Sequence, residues 1–151
     1  MKKTASVLLL LVILFTFAGC GGKNAMGNNI PEVDDCKWVM SFISQRSGEI
    51  VALGKDNNTS FKHDVEIELT ATFRRGVIKI KDITNGKTYK GEFTDNGVNL
   101  DKREYSFVVD GVQGYGSTSI REYFDGDSYY KAPGLSMQLG EYSLIFEAVK
   151  K

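Results

Sequence analysis

Residues 65 to 73 read VEIELTATF, an alternation without a slip. Val65, Ile67, Leu69, Ala71 and Phe73 fall on one side, and Glu66, Glu68, Thr70 and Thr72 on the other. A period of two belongs to a strand, whose successive side chains point to opposite faces. A helix would scatter the same apolar positions around its circumference. Shorter runs keep the rule: Trp38, Met40 and Phe42; Tyr89, Gly91 and Phe93; Tyr105, Phe107 and Val109; Tyr142, Leu144 and Phe146. No later segment reads as an amphipathic helix, so the chain must fold as sheet with one buried face.

Turn-forming pairs punctuate these runs: Arg75-Gly76, Asn85-Gly86, Asn96-Gly97, Asp110-Gly111, Asp125-Gly126 and Pro133-Gly134. Asn-Gly and Asp-Gly accept the positive backbone angles of tight hairpins. Tight turns join antiparallel neighbours, since a parallel crossover needs a dozen or more residues. The pattern predicts an all-β antiparallel meander of about eight strands. The only long connection is GKDNNTSFKHD, residues 54 to 64, between the second and third strands. Closure into a small up-and-down barrel hides both the apolar face and the edges. A β-sandwich is the alternative, though it usually needs longer Greek-key connections.

The N-terminus differs in kind. Lys2 and Lys3 precede the apolar run Val7 to Phe17 and the small pair Ala18-Gly19. That is the layout of a secretory signal peptide, and the run is too short to span about 30 Å of hydrocarbon. Phe17-Ala18-Gly19-Cys20 resembles the lipobox of bacterial lipoproteins. The resemblance implies cleavage before Cys20, diacylglycerol on its thiol, and anchoring on the outer side of a bacterial membrane. With Gly21 after the cysteine, it implies the outer membrane where there are two. The residues leave another route open: ordinary cleavage after Ala18, with Cys20 free to pair with Cys36 in an oxidising compartment. If Cys20 is lipidated, Cys36 is either a buried small hydrophobe or a lone thiol.

The expected organisation is a lipoprotein signal peptide (1–19), a flexible Gly- and Asn-rich tether (20–35) and one β-barrel domain (36–151). Without Lys2 and Lys3, 17 basic side chains remain of 19, against 19 acidic ones, a formal balance of −2. A polyanion such as nucleic acid requires a clustered basic surface, so none is expected as a partner.

Trp38 in the first strand, the hairpin SQRSGEIVALG, Gly114-Tyr115-Gly116 and the closing strand YSLIFEAV together resemble the small lipocalin-like domains of bacterial lipoproteins. The resemblance implies a barrel architecture and, by analogy only, a binding role.

Nothing in the chain spells out catalysis. The single histidine, His63, lies in a polar loop between Lys62 and Asp64, with no serine elbow to serve as its nucleophile. Zinc would want several histidine or cysteine ligands at short spacing. Asp125 and Asp127 lack the other oxygen ligands of a calcium loop, and a hairpin accounts for them. Asn57 and Asn58 head glycosylation-like sequons that a bacterial lipoprotein rarely uses. Gly114 and Gly116 have no following helix to make a phosphate loop, and mark a bend in a closing barrel instead. The reading is therefore non-enzymatic, with no metal and no cofactor.

Aromatic side chains remain. Such rings can simply fill a small barrel, or they can line a pocket and orient a ligand through tyrosine hydroxyls. The functional expectation is a binding module for a small apolar or amphipathic molecule, lined by Trp38, Tyr89, Tyr105 and Tyr115. The alternative is a protein-interaction or inhibitor module using Arg121, Tyr123, Tyr129 and Tyr130 on the rim, because tyrosine and arginine dominate interface hot spots.

Overall fold

The structure, a computed structural model, describes residues 30–55, 61–124 and 126–149. The expected signal peptide, Cys20, the sequons at Asn57 and Asn58, and Asp125 lie outside the described residues.

Ten strands follow a short 3-10 turn (Val33–Asp35): β1 (Trp38–Gln45), β2 (Ile50–Gly54), β3 (Glu66–Ile67), β4 (Leu69–Arg74), β5 (Val77–Asp82), β6 (Lys87–Asn99), β7 (Lys102–Val109), β8 (Val112–Phe124), β9 (Tyr129–Leu139) and β10 (Tyr142–Ala148). Strands β4 to β10 pair in chain order, and β10 then closes on β1, which also reaches β4. The result is a closed, antiparallel eight-stranded barrel with two additional strands. Closure satisfies the edges that an open meander would leave bare.

The route of β1 departs from a pure meander. Its first half pairs with β4 (Trp38↔Ala71, Val39↔Thr70), and its second half with β2 (Phe42↔Leu53, Ile43↔Ala52). β2 thus leaves the ring, and β3 joins it in parallel (Leu53↔Glu66). The alternating run from 65 to 73 is accordingly cut at Glu68. The Glu68 N–H donates to Thr84 Oγ1 at 2.8 Å, which frees the chain to leave β2 and enter the ring between β1 and β5.

Two turn signals behave as hairpins with positive φ at both central residues: Arg75 (52°) with Gly76 (78°), and Asp110 (47°) with Gly111 (79°). Two others do not turn. Gly97 (φ 90°) takes up a bulge in β6, where the register slips between Asp95 and Gly97. Pro133 sits inside β9, just past the last β9–β10 pair, Gly134↔Glu147, where a residue without an N–H is tolerated. The hairpins are made instead at Leu100-Asp101 and Gly140-Glu141.

Gly114 and Gly116 serve packing. β8 keeps an unbroken register with β7 and β9 through both glycines. A Cβ on Gly116 would run into the Ser136 carbonyl and come within 2.8 Å of the Phe107 ring. The glycines leave room for the inward rings of β7, opposite which they sit (Tyr105↔Gly116, Phe107↔Gly114).

One buried core runs through the barrel, with Trp38, Met40, Phe73, Tyr105, Phe107, Leu135, Met137 and Phe146 toward one end and Leu69, Ile80, Val109 and Leu144 toward the other. Phe73 lies against Phe93 at 5.4 Å and Phe107 at 6.1 Å, in tilted and edge-on arrangements that aromatic pairs favour.

Residues 30 to 35, read from the sequence as the end of the tether, close that end. Ile30, Pro31 and Val33 are buried. The Trp38 indole N–H donates to the Val33 carbonyl at 2.7 Å, and the Thr118 hydroxyl to the Pro31 carbonyl at 2.6 Å. Arg103 reaches Glu32 at 2.9 Å and Asp95 at 2.6 Å. Three apolar side chains in a polar stretch have no 3.6- or 2-residue period, so the sequence gives no sign that they pack.

Candidate functional site

Aliphatic side chains take over at the opposite end, where the barrel is not filled. A cavity of about 450 Å³ opens there, within the size range of small-molecule sites. All ten strands contribute to its lining. Ile43, Leu69, Ile80, Val109, Leu139 and Leu144 form much of its wall. They lie on the inward face toward the strand ends at this mouth, where Asp82 and Tyr142 follow Ile80 and Leu144 on the same faces.

The rim carries Tyr89 and Tyr142 with two carboxylates, Asp82 and Asp110. Asp82 is buried, 7% exposed, and accepts from the Asn85 N–H at 2.9 Å and from Asn85 Nδ2 at 2.8 Å. Asp110 accepts from the Lys90 N–H at 3.2 Å. Among the described residues no lysine or arginine lines the cavity.

The four residues expected to line one pocket are divided: Tyr105 and Tyr115 border one groove, Tyr89 stands in the cavity, and Trp38 lines neither. Tyr89 stands in the cavity wall. Trp38 and Tyr105 are buried in the packed end, where both hold the 30–35 segment. Burial pushes the Tyr105 hydroxyl up to about 12, against the bonds from Val33 and Thr118 that pull the other way. Tyr115 is exposed and, with Tyr105, Ser117, Ser136 and Met137, borders a second groove of about 360 Å³ whose lining is mixed polar and apolar.

Of the four residues expected on the rim, three meet. Tyr123 and Tyr130 stack at 5.5 Å, and the Tyr130 hydroxyl donates to Glu147 at 2.8 Å. The Arg121 side chain and the Tyr123 hydroxyl both lie over Gly134, where a Cβ would come within 2.8 Å of the hydroxyl. The Tyr123 oxygen is buried with no hydrogen bond of good geometry, and burial pushes it up to about 12 despite the Arg121 charge beside it. Tyr129 stands apart, 72% exposed, with its ring 4.9 Å from Phe124.

The other candidates carry ordinary duties. His63 is exposed, and its Nδ1 accepts from the Val65 N–H at 3.1 Å, shaping the approach to β3. Asp127 is exposed. Among the described residues no three His, Cys, Asp or Glu side chains meet as a metal site would require. Cys36 is half-buried against the core and is disulfide-bonded. The sequence holds one other cysteine, Cys20, outside the described residues.

The chain matches no family model, no curated protein and no solved structure.

The wall residues of the cavity were legible as inward apolar positions, since Leu69, Val109 and Leu144 belong to the alternating runs. The unfilled space between them was not. It depends on which side chains face one another across the barrel, and one chain's alternation says nothing of that. A size difference was the available signal: the inward rings cluster toward one set of strand ends, the branched aliphatics toward the other.

Proposed function

We propose that this barrel is an extracytoplasmic binding module that takes a small apolar or amphipathic molecule into its open end. The observation that carries the reading is the cavity of about 450 Å³, walled by aliphatic side chains while the opposite end is packed and plugged. An eight-stranded barrel built only to be stable would fill its interior with side chains from end to end. The interaction reading has less support, because Tyr123, Tyr130, Arg121 and Glu147 are largely engaged with one another.

The lipobox-like ending at Cys20 supports anchoring by lipid to the outer side of a bacterial membrane, with residues 21 to 29 as spacer. The disulfide at Cys36 favours a second reading, a secreted barrel oxidised through its two cysteines. One sulfur cannot be in a thioether and a disulfide at once.

One experiment addresses both questions. The protein is extracted from its own cells and examined by native mass spectrometry, then digested. A reproducible mass that leaves on denaturation is the expected result for a carrier; a bare chain that also fails to take up the neutral apolar dye N-phenyl-1-naphthylamine would overturn the binding reading. A diacylglycerol mass on the Cys20 peptide supports the anchor, and a Cys20–Cys36 cross-linked peptide removes it.

A further inference from the structure

The cavity wall is largely apolar, and among the described residues the formal charges in its lining are Asp82 and Asp110. Asp82 is the anomaly. The residue is more than nine-tenths buried, yet among the described residues no lysine or arginine pairs with it. Lys87 is its cross-strand neighbour in the β5–β6 ladder but is exposed and makes no ion pair with it. Among the described residues the ion pairs are those of Lys55 with Glu68 and of Arg103 with Glu32 and Asp95, all elsewhere. The two bonds from Asn85 occupy one lone pair on each oxygen and leave the negative charge in place. A buried charge is costly unless an opposite charge accompanies it.

From this geometry, and resting on the binding reading above, we infer that the cavity is selective for cationic amphiphiles: an apolar body among Leu69, Val109, Leu139 and Leu144, with an ammonium or guanidinium head at Asp82. The free lone pairs of Asp82 accept from the head's N–H groups. Asp110, on the same rim, adds to the negative potential. A carboxylate head of the same length would meet like charge at the mouth with no lysine or arginine in the lining to receive it. The cavity has the opposite polarity to a fatty-acid site.

The test displaces N-phenyl-1-naphthylamine from the full mature protein with three ligands of one chain length at neutral pH: dodecylammonium, dodecanol and dodecanoate. Dodecylammonium is expected to displace the dye at roughly tenfold lower concentration than dodecanol, the scale of one charge-assisted hydrogen bond. Dodecanoate is expected to be the weakest. Asp82→Asn, whose amide oxygen can still accept from Asn85, should bring dodecylammonium to the level of dodecanol and leave dodecanol unchanged. Asp110→Asn should do so in part, and it serves alone if the first variant does not fold. Dodecanoate matching or exceeding dodecylammonium would overturn the inference, as would an unaltered ammonium-to-alcohol ratio in the folded variants. If the dye is not taken up and none of the three ligands binds, the binding reading itself fails. If all three bind equally, only the charge selectivity fails.

Discussion

The Val33 N–H donates to the Tyr105 hydroxyl oxygen at 3.0 Å, across 72 residues of chain and deep in the packed end of the barrel. Tyr105 thereby joins β7 to the segment that seals the barrel, and Trp38 makes a similar join from β1 through the Val33 carbonyl. Both polar groups of one peptide unit's neighbourhood are met by aromatic side chains. Tyr105→Phe keeps the ring and strands the Val33 N–H. An unsatisfied buried donor costs about 1–3 kcal/mol, so the variant should lose about that much in urea unfolding. Hydrogen exchange at the Val33 amide should rise more than at amides of β5, since the loss is local to the plug.

The same hydroxyl, with that of Tyr123, sets how the fold responds to alkali. Each is pushed from 10 to about 12 by burial, because the phenolate is disfavoured where water is excluded. The folded pKa lies above the unfolded one, so the native state holds these protons longer than the unfolded chain does. Their contribution to stability is complete below pH 10 and is lost as pH rises from 10 to 12. Unfolding midpoints should fall across that window and be level just below it as far as these groups are concerned. Tyr105→Phe and Tyr123→Phe should each flatten part of the fall, and absorbance at the phenolate band would follow the two late protons directly.

Gly116 marks what alternation conveys and what it omits. From the sequence, the strand periods, most hairpins and the closure of the ring could be read, because each depends on local pattern. The glycine's reason could not, since it lies in a ring contributed by the neighbouring strand. Nor could the departure of β2 from the ring, the break at Glu68 or the packing of Ile30 and Val33, all of which are decided by partners distant in the chain. The candidate site divides in the same way: Tyr89 and the inward aliphatics are visible in the pattern, whereas Trp38 looks like a pocket residue until the plug is seen above it.

Gly116→Ala should therefore be among the more harmful small changes. Its Cβ meets the Ser136 carbonyl and the Phe107 ring, and backbone and ring cannot both withdraw without disturbing β8–β9 pairing. Overpacking of this kind costs about 1–3 kcal/mol. Ser117→Ala, on the outer face one residue on, should stay within about 0.5 kcal/mol. Paired denaturation curves with equal slopes would check the contrast.

Leu100 offers a change in the other direction. It is 87% exposed at the β6–β7 turn and holds φ at 57°, a left-handed conformation that leucine adopts at a cost. Leu100→Asn relieves that strain and removes no buried contact. The expected gain is about 0.5–1 kcal/mol, read as a higher midpoint in thermal unfolding.

The contrast between the two ends of the barrel can be tested with a single substitution placed twice. Leu135 is fully buried (0% exposed) beside Phe146 in the packed half, and Leu139 is four residues further along the same strand, in the wall of the cavity. Both point inward, so the chemistry of Leu→Phe is the same and only the space differs. At Leu135 the larger ring has nowhere to go, and a loss of about 1–3 kcal/mol is expected. At Leu139 it can enter the cavity of about 450 Å³, so stability should change by less than about 1 kcal/mol while dye uptake falls. Equal losses at the two positions, with dye uptake unchanged at Leu139→Phe, would mean the open end is as tightly packed as the plugged one.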